Sequence, residues 1–251
     1  MPLLKRCLMV LALLLSLWPA ATLSDELTQL KILTESYPPY NFVAQDQLRG
    51  ISVDLLMAAA DAIGSSLTRQ DIALYPWPRA YKTALKGPQV ALFSTTMTAD
   101  RKPLFQWVGP IIPTRVVLLA RRDKHIRINS LQDINPYAVG VIREDIGEQL
   151  LLAGQVAEKN IRPLSSAVSL AKMLKSGRID LWAYEENVAR WILRNNKLNP
   201  ENFESVYILD ESELYYTFSK DVDPALLQRL QQALTTLRST PLYQTVIDRY
   251  L

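Results

Sequence analysis

The chain of 251 residues has very little of the chemistry that covalent and metal-dependent sites use. It contains one cysteine, Cys7, and one histidine, His125. A disulfide needs two cysteines, and a zinc site normally needs several cysteine or histidine ligands. We therefore expect no disulfide, no transition-metal site and no cofactor, and the stability of the fold has to come from a packed apolar core.

Long apolar runs are also scarce, and the one that is present lies at the start of the chain. Residues 7–18 are uncharged and apolar, Lys5 and Arg6 precede them, and small residues follow at positions 20–24. The run is too short to span a bilayer and is typical of a secretory signal peptide. We expect residues 1–24 to be removed by cleavage between positions 20 and 25, which leaves a soluble protein exported to the periplasm.

The sequence also lacks a large excess of positive or negative charge. The chain has 28 basic and 25 acidic residues, and loss of Lys5 and Arg6 with the signal peptide makes the two numbers nearly equal. The most basic stretch, "ARRDKHIR" at 120–127, includes an acid and is interpreted as an exposed turn. Charge thus gives no support for binding to nucleic acid, and we expect no such partner.

The sequence that follows the signal peptide alternates between short apolar runs and amphipathic segments. The apolar runs predict strands, and the segments with a 3.6-residue period predict helices. The predicted strands are 30–34, 71–75 and 90–94, and the predicted helices are 53–63 and 79–86. Short apolar strands separated by helices favour a mostly parallel sheet with helices on both faces.

The same alternation starts again after the strand predicted at 115–120. Its strands are predicted at 137–142 and 179–184, its helices near 146–153, 166–177 and 186–194, and two closing helices at 224–237 and 241–250. We predict an α/β fold of two lobes, each a mostly parallel sheet flanked by helices, joined by two crossing strands. Lobe 1 is expected to contain residues 25–119 and 213–251, and lobe 2 residues 120–212. Ligands of such sheets bind at the carboxyl ends of the strands, here in the cleft between the lobes.

One segment at a predicted strand end, "STTMTADRK" at 94–102, combines hydroxyl groups with an arginine. The guanidinium of Arg101 presents parallel N–H donors that match a carboxylate, and its charge is permanent. Thr96 and Ser94 offer further donors to the same anion. We predict that these three residues bind an anionic group; the alternative is that Arg101 forms a surface ion pair with Asp100 or with a neighbouring residue of the lobe.

This segment and three others resemble the polar-amino-acid family of bacterial periplasmic solute-binding proteins, which has the type II periplasmic-binding fold. "ESYPPYNF" with "LRGISVDLL" is similar to the family's opening, "LKSGRIDLWAYEE" to its strand motif and "TLRSTPLYQTVIDRYL" to its closing helix. The resemblance implies a monomeric receptor of an ABC importer. Such a receptor closes two lobes around a small polar solute, an amino acid or a related compound, and delivers it to a membrane permease.

The resemblance also implies roles for individual residues. Thr96 and Arg101 match the positions that hold the α-carboxylate of the ligand, and Glu185 matches the carboxylate that grips its ammonium group. Tyr37 and Trp77 match aromatic contacts. The alternatives are that Glu185 caps the helix predicted from residue 186 and that the two aromatic residues belong to the core.

Three positions depart from the family pattern, and a fourth residue marks a subgroup. Ser94 stands where a glycine is common. In "GVIREDIG", Glu144 replaces a glycine and Asp145 replaces a hydroxyl residue, so a cleft-facing Asp145 would repel a carboxylate and favour a cationic or multiply aminated solute, with Arg143 offsetting the acid. The segment "PWPRAYKTAL" places Arg79 near the cleft.

Two other functions use the same fold. One is an enzyme, such as a cyclohexadienyl dehydratase-like lyase, in which Glu185 would act as acid or base. The other is a free-standing sensory receptor. No nucleophile with a neighbouring base is recognisable in the sequence, and we expect a binding protein that carries out no chemistry.

Overall fold

The computed structural model describes residues 25–251, so the predicted signal peptide and Cys7 lie outside the described part of the chain. Ten strands are present. In chain order they are β1 Lys31–Thr34, β2 Phe42–Ala44, β3 Gln47–Arg49, β4 Ile72–Leu74, β5 Val90–Thr96, β6 Gln106–Arg121, β7 Val139–Ile142, β8 Ile161–Leu164, β9 Leu181–Glu185 and β10 Phe203–Phe218. Strands β2 and β3 form a separate hairpin, and the other eight form one sheet.

The large sheet has parallel outer parts and an antiparallel centre. Its strand order is β4-β1-β5-β10-β6-β9-β7-β8. Strand β1 pairs in parallel with β4 and β5, and β7 pairs in parallel with β8 and β9. Strands β6 and β10 run antiparallel to each other and to their outer neighbours. The predicted alternation of strands and helices is thus confirmed in both outer parts.

The two central strands are much longer than the sequence suggests. Each has 16 residues, whereas the sequence predicts a strand only at 115–120 and two short runs before the closing helices. Pro110 and Pro113 hide the continuity of β6, since proline lacks the N–H that a ladder needs. The register of β10 shifts between Leu214 and Tyr216, opposite residues 109–111, and this bulge accommodates Pro110.

Within residues 25–251, seven α-helices pack around these strands. They are α1 Ile51–Ala62, α2 Trp77–Lys86, α3 Ile146–Ala153, α4 Ala167–Ser176, α5 Glu186–Asn195, α6 Pro224–Arg238 and α7 Pro241–Asp248. Local sequence explains their ends: Asp223 accepts a hydrogen bond from the backbone of Ala225 at the start of α6, and Gly177 takes the left-handed conformation after α4. Each helix ends within about two residues of its predicted boundary.

Apolar side chains are buried in two clusters. The larger one includes Leu33, Leu92 and Leu230 and extends to Trp182. The smaller one lies beneath β7 and includes Val139. Among residues 25–251, no helix combines the length and the apolar character that crossing a membrane would require.

Candidate functional site

The carboxyl ends of β1, β5, β7 and β9 point toward the same place in the sheet. Strand β5 ends at Thr96 and β9 ends at Glu185, and the two strands run in opposite directions on either side of the central pair. Both strand ends can be aligned against β6. Thr96 lies opposite Ile112 with β10 between them, and Glu185 pairs directly with Val116. The two strand ends therefore lie four positions apart along β6, with three residues between them, and the segments that follow β1, β5, β7 and β9 meet there.

Arg101 is almost fully buried at this junction. The residue is 1% exposed, and its guanidinium lies 5.2 Å from the ring centroids of both Trp77 and Tyr81. It donates hydrogen bonds to the backbone carbonyls of Thr96, at 3.4 Å, and Glu144, at 3.2 Å. Its Nε is buried and has no acceptor among residues 25–251. Arg101 thus reaches across the junction and retains one free donor.

The carbonyl of Glu144 is the main point of contact across the junction. It accepts hydrogen bonds from Trp77 Nε1 at 3.0 Å and from Gln149 Nε2 at 3.2 Å as well as from Arg101. The left-handed backbone of Glu144, with φ 60°, turns this carbonyl toward them. Its carboxylate also pairs with Lys82 Nζ at 2.9 Å. The residue that replaces a family glycine therefore keeps the conformation that glycine favours.

Two acids, Glu35 and Asp145, share the electrostatic environment of Arg101. Both are buried. Burial raises the pKa of Asp145, and the positive charge of Arg101 opposes that change. Burial and the neighbouring carboxylate of Asp145 hold the pKa of Glu35 well above its usual range, again against Arg101. Within the described residues neither carboxylate lies at ion-pair distance from a basic group.

Glu185 is held from two sides. Its Oε1 accepts a hydrogen bond from the Tyr40 hydroxyl at 3.0 Å, and its Oε2 accepts one from the backbone N–H of Val188 at 2.7 Å. The second bond makes Glu185 the N-cap of α5. Burial raises the pKa of Glu185 to about 7, because these hydrogen bonds offset only part of the cost of burying the charge. The capping interpretation is confirmed, and a contact with a ligand stays a prediction.

Aromatic rings form one wall of the junction. The ring of Tyr37 lies 5.6 Å from that of Tyr40 and 5.7 Å, edge on, from that of Tyr184, which stacks on Trp182 at 5.1 Å. Burial and the nearby carboxylates hold the pKa of Tyr37 well above its usual range, so its hydroxyl stays protonated. These rings form a mostly apolar surface beside the buried acids.

Three other residues predicted from the sequence lie apart from this group. Ser94 has φ 62°, which explains why a glycine is common there, and its hydroxyl donates to Asn41 Oδ1 and accepts from the Ser52 hydroxyl in the outer part of the sheet that contains β1 and β5. Arg143 is exposed. Arg79 is also exposed and lies over the ring of Tyr75 at 4.1 Å. The structure thus brings together Arg101, Thr96, Trp77, Tyr37 and Glu185.

A cavity of about 330 Å³ opens beside the aromatic wall, between the two outer parts of the sheet. Glu35, Ser36 and Tyr75 line it from one side, and Ile142, Ser166 and Tyr184 from the other, as part of a larger set. A wider groove of about 700 Å³ lies along the central strands. None of the site residues predicted from the sequence lines either cavity, and the smaller one is the candidate site because the buried carboxylate of Glu35 lines it. The sequence analysis missed Glu35, although an acid directly after a predicted strand was a usable signal.

Comparison with known proteins connects this architecture to proteins that bind small solutes. The model of a family described as bacterial extracellular solute-binding proteins, family 3, matches residues 30–251. The chain is 26% identical over 166 residues to the arginine-binding extracellular protein ArtP of Bacillus subtilis, which is 64% of this chain and 62% of that relative. The chain therefore spans less than two thirds of the length of this curated relative.

Solved structures with the type II periplasmic-binding fold superpose over most of the chain. A histidine kinase sensor domain with similarity to periplasmic binding proteins matches with a TM-score of 0.77 and 22% identity, covering 88% of this chain and 96% of that one. An ancestral arginine-binding protein bound to arginine matches with a TM-score of 0.74 and 20% identity, covering 88% and 97%. A mutant of ArgBP from T. maritima also has a TM-score of 0.74 and 20% identity, covering 87% and 94%. The predicted fold class is confirmed.

Proposed function

The chain belongs to the bacterial extracellular solute-binding proteins of family 3, and from this premise we propose that it captures a basic amino acid or a related organic cation. The solute binds between lobe 1, residues 25–119 and 213–251, and lobe 2, residues 120–212. The observation that carries the proposal is the buried carboxylate of Glu35, which lines the cavity between the lobes without a basic partner among the described residues.

The charges at the junction favour a positively charged solute. Three buried carboxylates, those of Glu35, Asp145 and Glu185, are near one buried guanidinium, that of Arg101. A buried carboxylate without a countercharge is costly, as the raised pKa values of all three show. A cationic group entering the cavity supplies the missing countercharge and allows Glu35 to ionise.

We assign the carboxylate of an amino acid to Arg101, which neighbours the acids of the cavity but does not itself line it. Arg101 keeps its buried Nε donor without an acceptor among residues 25–251, and the family resemblance assigns the α-carboxylate to Arg101 and Thr96. The solute then extends with its anionic end at Arg101 and its cationic end at Glu35. The arginine-binding relatives support a basic amino acid as this solute.

Closure of the two lobes retains the solute. The hydrogen bonds from Trp77 and Arg101 to the Glu144 carbonyl, and from Tyr40 to Glu185, are the contacts that closure makes. The closed protein then delivers its solute to the membrane permease of an ABC importer. It acts as a monomer in the periplasm and carries out no chemistry.

A sensory role is the second candidate, favoured by the fold similarity to a histidine kinase sensor domain. Both functions use the same cavity and the same closure, so binding measurements do not separate them. Deletion of the gene that encodes the chain separates the two functions. An import role predicts loss of uptake of the radiolabelled solute, whereas a sensory role predicts intact uptake and loss of the transcriptional response to the solute.

Titration calorimetry with arginine tests the proposal on residues 25–251. Glu35→Gln removes the charge at the cavity and keeps the size of the side chain, so we expect affinity to fall at least about tenfold. Glu158→Gln removes an exposed charge outside the cavity and is the matched control, for which affinity stays unchanged. Equal affinity of the Glu35 and Glu158 variants would exclude Glu35 from the site.

A further inference from the structure

A second cavity, of about 410 Å³, lies beside the β2–β3 hairpin and the end of the chain. Three arginines line it, Arg49, Arg69 and Arg249, together with a single acid, Asp54. The lining therefore has a net charge of +2. Trp191 is the only residue that this cavity shares with the solute cavity.

Asp54 already pairs with two of the three arginines. Its carboxylate pairs with Arg69 Nη2 at 2.8 Å and with Arg249 Nη1 at 2.9 Å, and it accepts a hydrogen bond from the Tyr250 hydroxyl at 2.8 Å. These contacts connect α1 to the end of the chain. One carboxylate cannot neutralise three guanidinium groups, so the positive charge of the cavity is not explained by the fold.

Arg49 is the arginine of this cavity that takes no part in the contacts of Asp54. It is half-buried, and it forms no ion pair with any acid of the described chain. Its Nε is buried and has no hydrogen-bond partner among residues 25–251. A buried donor without an acceptor is unfavourable, and such donors are rare unless a ligand or water satisfies them. Arg49 therefore indicates an acceptor that comes from outside the chain.

We propose that this cavity is a binding site for a small organic or inorganic compound with two or more negatively charged oxygens, of the phosphate or polycarboxylate class. Guanidinium groups bind such oxygens through paired N–H donors. The excess of two positive charges matches a dianion or trianion.

Aromatic side chains complete the lining. Phe42 lies between Trp191, at a ring distance of 5.3 Å, and Tyr250, at 6.0 Å, and all three line the cavity. Their faces and edges suit the carbon skeleton of an organic anion. The site differs in charge from the solute cavity, which is acidic, so the two sites select different compounds.

Titration calorimetry at constant ionic strength, with inorganic pyrophosphate in one arm and citrate in the other, tests this inference. We expect saturable binding in at least one arm, and the arm that binds identifies the class of anion. Arg49→Gln lowers the affinity at least about tenfold, since it removes one charged fork. Arg127→Gln, which removes an exposed arginine outside the cavity, is the matched control and leaves the affinity unchanged.

The outcomes separate the site from general charge effects and from the solute site. Glu35→Gln, which weakens solute binding, leaves anion binding intact. Arg49 forms no ion pair within residues 25–251, so its replacement preserves the contacts of Asp54. As a measurement that needs no variant, pyrophosphate or citrate raises the melting temperature of the wild-type protein above that in chloride of equal ionic strength. Absence of binding and stabilisation in both arms, or an equal effect of the Arg49 and Arg127 variants, would overturn the inference.

Discussion

The hydroxyl of Tyr40 donates a hydrogen bond to Oε1 of Glu185 at 3.0 Å, and this bond joins residues 145 positions apart. It connects the turn after β1 to the end of β9 across the junction between the two outer parts of the sheet. Asn187 Nδ2 donates to the same hydroxyl at 3.0 Å. The bond therefore belongs to a small polar network inside an otherwise apolar wall.

Tyr40→Phe tests the energetic role of this network. The substitution leaves Oε1 of the buried Glu185 without its donor, so we expect the free energy of unfolding to fall by about 1–3 kcal/mol. Urea denaturation measures the change. Tyr207→Phe is the control, because the half-buried Tyr207 hydroxyl has no partner in the described part of the chain; equal stability of the two variants would contradict the structure.

Glu185 also predicts how stability depends on pH. Its pKa is raised from 4.5 to about 7 in the folded protein, so the folded state binds the proton more tightly than the unfolded state. The resulting stabilisation is complete below pH 4.5 and is lost as the pH rises through 7. The difference of pKa corresponds to roughly 3 kcal/mol.

Glu185→Gln isolates this contribution, because the glutamine oxygen still accepts from the N–H of Val188 and its amide nitrogen donates to the Tyr40 hydroxyl, without a charge to bury. We expect the variant to lose less stability than the wild type between pH 5 and pH 8, as measured by urea denaturation at both values. Glu35 and Asp145 also have raised pKa values, so a smaller slope remains. An unchanged slope would show that Glu185 does not titrate in this range.

Arg101→Ala is predicted to weaken solute binding by about 2–4 kcal/mol, because the buried carboxylate of the solute loses its charged partner. The Glu144 carbonyl still accepts from Trp77 and Gln149 in this variant, so we expect the lobes to keep their arrangement. Calorimetry with arginine measures the loss. Arg127→Ala is the control, and an Arg101 variant with the affinity of that control would remove Arg101 from the site.

Gly50 tests the packing that positions the turn after β1. Its φ is 126°, and a Cβ at this position would overlap the carbonyl oxygen of Tyr40. We expect Gly50→Ala to lower the free energy of unfolding by about 2–4 kcal/mol, from backbone strain and overpacking together. Gly64→Ala is the control, since Gly64 has φ 75° but open space around it; it should cost only about 1 kcal/mol.

Periodicity was sufficient to predict the helices, and it was misleading for the central strands. The apolar spacing and the caps placed α4 and α6 nearly at their observed limits. The apolar pattern did not predict the continuity of β6, where Pro110 and Pro113 interrupt it. It also did not predict the strand Ile161–Leu164, which contains Pro163. Strand continuity in these places depends on pairing with distant strands, which local sequence does not encode.

The candidate site was predicted only in part, for a similar reason. Arg101 and Thr96 follow one predicted strand and form a local motif, so the sequence identified them. Glu35 contributes a single acid, and its importance depends on Asp145, which is 110 positions away and becomes its neighbour only through the sheet topology. Ser94 carried the right chemistry, but its left-handed backbone directs the hydroxyl to Asn41 and Ser52.

The most direct test of a cation-selective cavity is a comparison of arginine with citrulline, which has nearly the same shape and no side-chain charge. Calorimetry on residues 25–251 measures both. A cavity in which Glu35 meets the guanidinium binds arginine at least about tenfold more tightly than citrulline. Equal affinities, or tighter binding of citrulline, would contradict the account.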